Sequence, residues 1–198
     1  MRALLTSISL ALLSLGCGLD PLSSCDYGYT SLSSGAEIAI KSTTLGGSSI
    51  AQSFSLPHSD EGFLTLQNVR LYFKRTGSFD TEDTITASIV ADSSSIPDTT
   101  ILSSGNVLIS TLSDSDFVAK DIALSSAVSL TTETTYWITI TASYPQSDTD
   151  LVEVRAHQGS SGEYTSGQAL YETSTPGSWS SLLIGDFRDL NFQFNCAN

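Results

Sequence analysis

Basic side chains are scarce in this chain. Eight Lys and Arg stand against 21 Asp and Glu in 198 residues, for a formal charge of −13. Nucleic-acid binding needs clustered cations to neutralise phosphates, and these eight are scattered, so no nucleic-acid partner is expected. Direct attraction to anionic lipid headgroups is disfavoured for the same reason. The acidity fits solubility and self-repulsion outside the cell. Long periodic runs of Lys, Glu and Ala, the usual helix formers, are missing. The sequences G-x-S-x-G and H-E-x-x-H are absent, and with them the commonest serine-hydrolase and zinc-protease signatures. Cysteines number only three, and neither His58 nor His157 stands at ligand spacing to them, which argues against a zinc centre.

What the chain does have begins at its first residues. Arg2 precedes "ALLTSISLALLSLG", a basic start and an apolar stretch of signal-peptide length, too short to span a bilayer. Cys17 follows Gly16 directly at the end of that run. The arrangement resembles the bacterial lipobox, in which Leu, a small residue and Gly or Ala precede the acylated Cys. Here Ser14 and Leu15 fill the third and second positions before Cys17, and the leucine of the pattern stands one place early, at Leu13. The resemblance implies cleavage after residue 16, acylation of Cys17 and anchoring of an exported protein to a membrane of the bacterial cell envelope. Each buried methylene would stabilise insertion by about 0.8 kcal/mol. The alternative is an ordinary secretory signal with Cys17 discarded or unmodified. Residues 17–35 are rich in Gly and Ser and lack periodicity, so they read as a tether, with residues 36–198 as one domain.

Two cysteines remain once Cys17 is set aside, Cys25 and Cys196. In an oxidising compartment an even pair reads as a disulfide. Closing so long a loop would stabilise the fold by at most about 5 kcal/mol.

Ser and Thr dominate the polar positions, and Thr, Val, Ile and aromatics favour strands. From residue 50 the apolar positions alternate: Ile50, Gln52, Phe54 and Leu56 share one side, as do Ile85, Ala87, Ile89 and Ala91. In "LTLQNVRLYF" the alternation slips one place at Gln67–Asn68, which predicts a bulge. Turn signals such as "SSSIPD" and "STPGS" fall between these segments. The pattern predicts an all-β, antiparallel, jelly-roll-like sandwich of about eight to ten strands. The segments "AQSFSLP", "LQNVRLYFKRTGSFD", "ITASIVADSSSIPDTTILSSG" and "VSLTTETTYWITITAS", in this order, resemble the choice-of-anchor and carbohydrate-binding-module-like domains of exported bacterial proteins. The resemblance spans about residues 50–195 and implies a mostly non-catalytic module. Family members often carry Gly where this chain has Glu133.

Candidate contact residues are aromatic. Trp179 lies in the Gly/Pro/Ser stretch "TPGSWSS" and is the best placed to stack on a sugar ring, with Tyr164 and Tyr171 nearby in sequence. The alternative role for all three is anchoring a loop. Tyr136 and Trp137 point to opposite faces of one strand. Acidic groups at 58–61, 80–83, 114–116 and 148–150 read as solvated turns; a structural Ca²⁺ held where two of them converge is the alternative. No other metal or cofactor is expected. The functional expectation is a lipid-anchored, non-catalytic envelope or cell-surface protein that binds a glycan or other surface component. The alternatives are a purely structural envelope lipoprotein and a small secreted hydrolase.

Overall fold

The computed structural model describes residues 27–29, 35–40, 49–145, 149–158, 167–173, 175–182 and 187–196. These residues form an all-β sandwich of two antiparallel sheets. Thirteen strands are seen among them, against the eight to ten expected: β1 (Tyr27–Tyr29), β2 (Gly35–Ile40), β3 (Ile50–Ser55), β4 (Phe63–Thr76), β5 (Thr84–Asp92), β6 (Pro97–Leu108), β7 (Val118–Thr131), β8 (Thr135–Ser143), β9 (Leu151–Gln158), β10 (Ala169–Glu172), β11 (Trp179–Ser181), β12 (Phe187–Leu190) and β13 (Phe192–Cys196). β1 falls inside the stretch read as a tether. It pairs with β13 through Tyr27↔Phe194, Gly28↔Gln193 and Tyr29↔Phe192. Gly28 permits this pairing, because a Cβ there would collide with the Phe192 carbonyl oxygen.

The first sheet contains β1, β13, β4, β9 and β12, with β2 added on β9 and β7 on β4. The second runs β11-β10-β3-β8-β5-β6. Their facing surfaces make the core. Leu66, Val69, Leu71 and Phe73 of β4 meet Phe54 of β3, Ile85 and Ile89 of β5, and Ile138 and Ile140 of β8. All are fully buried. The expected bulge in β4 is present. Both neighbours of β4 shift register between Leu66 and Asn68, so Leu66 and Val69 face inward although three residues apart.

One polar tie crosses this apolar core. Gln52 of β3 faces inward and is fully buried. Its Nε2 donates to Asp189 Oδ1 at 3.2 Å and to the Ser53 carbonyl at 3.0 Å, while its Oε1 accepts from the Leu190 backbone N–H at 2.7 Å. The amide thereby joins the second sheet to β12 in the first. β12 and β13 are the last stretch of the described chain; β12 ends the strand order of the first sheet, while β13 lies inside it. β12 pairs with β9, and β13 pairs with β4 on one side and β1 on the other.

The two outer faces differ. The first sheet shows charge to solvent. Arg70 meets Asp121 at 2.7 Å, and Lys74 stands 3.1 Å from both Glu37 and Glu153. The second sheet presents hydroxyls and a small apolar cluster of Ala51, Val90, Trp137 and Leu170, against which Trp179 packs.

Candidate functional site

The outer face of the second sheet is where strand alternation brings the candidate residues into view. On β8, Ile138 and Ile140 face the core, so Trp137, Thr139 and Thr141 face outward. The Trp137 ring is nevertheless fully buried. Its indole Nε1 donates to Asp92 Oδ1 at 2.8 Å. Asp92 Oδ2 accepts from the Ser95 N–H at 3.2 Å, and Gln168 Nε2 donates to the Ser95 carbonyl at 3.2 Å. These bonds fix the turn that joins β5 to β6. Within it Ser94 and Ser95 adopt φ of 58° and 68°, and Ser93 and Ile96 exchange backbone hydrogen bonds of 2.8 and 3.4 Å. The result is a two-residue hairpin of the kind usually built from Asn-Gly.

This turn forms one wall of a groove of about 520 Å³. Ile96, Pro97, Asp98, Thr99 and Ile101 line that wall, Val90, Thr139 and Thr141 the floor, and Ser49, Glu172, Pro176, Gly177 and Trp179 the far wall. Ile101 is 59% exposed and Ile96 38%, while Trp179 is half-buried. The far wall is built by the β10–β11 hairpin, in which Glu172 pairs with Trp179. The Glu172 carboxylate accepts from Ser49 Oγ at 2.7 Å and from the Gly177 N–H at 2.8 Å, which holds the turn that precedes Trp179. Asp98 Oδ1 accepts from the N–H groups of Thr99 and Thr100 at 2.6 and 3.2 Å. Both acidic groups of the groove are thus held by this chain's own donors. The hydroxyls of Thr139 and Thr141 make no hydrogen bond among the described residues.

Of the residues singled out in the sequence, Trp179 lines this groove. It does so from a strand, β11, and not from a loop. Tyr171 does not join it. On β10 it pairs with Ser180 and Ile50, while Leu170 and Glu172 share the face of Trp179. Tyr164, Cys17 and Cys25 lie outside the described residues, and Cys196 is described through its backbone, opposite Leu66 on β4. His58 is 70% exposed at 3.6 Å from Glu133, and His157 is buried on β9 across from Asp189. The acidic turns hold local backbone: Asp83 Oδ2 accepts from the Asp80 N–H at 2.7 Å and Asp150 Oδ1 from the Ser78 N–H at 3.1 Å. Among the described residues no three His, Cys, Asp or Glu side chains converge as metal ligands. The sequence reading missed Thr139, Thr141 and the Ile96–Ile101 wall. The alternation in "YWITITAS" carries the signal for the two threonines, since residues flanked by core isoleucines must face out. No family model matches the chain, and no curated protein matches it either.

Proposed function

We propose that this protein is a lipid-anchored, non-catalytic module of the bacterial cell envelope, and that it binds a glycan or another surface component in the groove beside Trp179. The observation that carries the binding half is the setting of Trp179. The ring packs against the cluster of Ala51, Val90, Trp137 and Leu170 and, half-buried, still lines the groove. An aromatic plane fixed from behind and open in front, beside unpaired Thr hydroxyls, suits the apolar face and polar rim of a sugar. Glu172 and Asp98 are engaged as holders of turns, which favours binding over hydrolysis. The anchoring half rests on Arg2, the apolar run and the position of Cys17 after Gly16. The resemblance to choice-of-anchor and carbohydrate-binding-like modules supports the same reading.

A glycan array probed with the soluble domain, followed by titration of the hits, tests the binding half. Trp179→Ala should weaken binding about thirtyfold, a hot-spot loss of about 2 kcal/mol. The cooperative unfolding transition should persist. Trp179→Leu keeps the apolar contact with the cluster and should bind as poorly as the Ala variant. Unchanged binding by the folded Leu variant would remove Trp179 from the site.

A further inference from the structure

We infer that the groove takes an uncharged oligosaccharide chain laid across the strands, several sugar rings long, and discriminates against acidic polysaccharides. This rests on the reading of the groove as a glycan site and narrows its ligand.

Length follows from direction. The lining comes from every strand of the second sheet or from the residue beside it: Trp179 from β11, Glu172 from β10, Ser49 next to β3, Thr139 from β8, Val90 from β5 and Ile101 from β6. The groove therefore crosses all six strands, obliquely, since Thr141 stands opposite Thr86 of β5 while the groove's β5 residue is Val90, paired with Ile101. Five inter-strand steps of about 4.8 Å give a track of about 24 Å. A single ring would fill only a fraction of it. Apolar surface stands at both ends, Trp179 at one and Ile101 at the other, with open threonine hydroxyls between them.

Charge follows from composition. Among the described residues the lining contains two carboxylates and no Lys, Arg or His. Each carboxylate is fixed by its hydrogen bonds before any ligand arrives, Glu172 by Ser49 and Gly177 and Asp98 by the Thr99 and Thr100 N–H groups. A uronate or sulfated chain would meet like charges at both walls and no cation to offset them, at a cost in affinity that salt screens.

Calorimetric titration of the soluble domain with neutral gluco-, xylo-, manno- and N-acetylglucosamine oligosaccharides of two to six units, and with oligogalacturonates of the same lengths, decides the matter. For at least one neutral series, affinity should rise about tenfold or more between two and five units and then level off. Oligogalacturonates should bind at least tenfold more weakly at low salt, and Glu172→Gln should narrow that gap. Dimer binding as tight as hexamer binding, or a preference for galacturonate, would overturn the inference and leave the glycan reading standing. Failure of every chain, neutral and acidic, would overturn both.

Discussion

Arg70 and Asp121 show how much one residue pair adds on the solvent face of the first sheet. They are register partners on β4 and β7 and meet through two parallel bonds, Nε to Oδ1 at 2.7 Å and Nη2 to Oδ2 at 2.8 Å. Hydrogen bonding from Arg70 holds the Asp121 carboxyl below its ordinary value, against partial burial that pushes it up. A folded-state pKa below the unfolded one stabilises the fold above the unfolded value of about 3.9, and that contribution is lost as pH falls through the folded value. Both side chains are about a third or more exposed, so solvent screening keeps the contribution under about 1 kcal/mol. Asp121→Asn should lower stability by up to that amount at pH 7, as read by urea denaturation, and the gap from the parent should close as pH falls from the unfolded value through the lowered folded one. A gap that persists in acid would assign the effect to packing. At this scale the sequence is legible where a position needs an unusual backbone. Glu133, flagged because the modules that the sequence resembles often have Gly there, adopts φ of 59°. It is not legible where burial depends on a distant segment. Alternation puts Trp137 on the outer face, yet Leu170 and Trp179, contributed by a later hairpin, cover it.

At the scale of elements, the long strands are readable because alternation repeats. β3, β4 and β5 stand where the pattern puts them, and the bulge at Gln67 follows from the slip in the pattern. β1 and β11, three residues each, are too short to show a period and owe their existence to partners far along the chain. The β5–β6 hairpin is a case of a turn whose place is legible and whose backbone is not. Ser94 and Ser95 both have positive φ, a conformation that costs a residue with a Cβ about 1 kcal/mol. The double variant Ser94→Asn, Ser95→Gly should therefore raise stability by about 1 kcal/mol. Ligand affinity should stay unchanged, because Asp92 and Gln168 bind the backbone of Ser95 and not its side chain. Equilibrium urea denaturation measures the gain, and a loss would show that the two serine side chains stabilise the turn. Gly105 on β6 adds a constraint the sequence does not announce. A Cβ there would strike the Ala123 carbonyl oxygen of β7, so the sandwich closes tightly along that side only with glycine.

For the whole molecule, composition and period two are sufficient for the all-β sandwich. Strand order is not readable, since pairing joins segments with no local signature of each other. The cysteines belong to this scale too. Cys25 lies outside the described residues, and Cys196 ends β13, the strand with which β1 pairs. The proposed export to an oxidising compartment predicts a Cys25–Cys196 disulfide. Mass spectrometry of the mature protein under non-reducing conditions should find an acylated Cys17 as the first residue and a Cys25–Cys196 crosslinked peptide. Two alkylatable thiols would remove the bridge, and any other first residue would remove the anchor. The placement of β13 between β1 and β4 also sets an order of events in time. Leu71 waits for Phe192, about 120 residues later, and the edge of β4 from Leu66 to Leu71 that faces away from β7 stays unpaired until β13 arrives. Nearly all of the described chain must therefore be made before the first sheet is complete. A chain halted on the ribosome just short of that point would hold the sandwich ajar along one edge of β4.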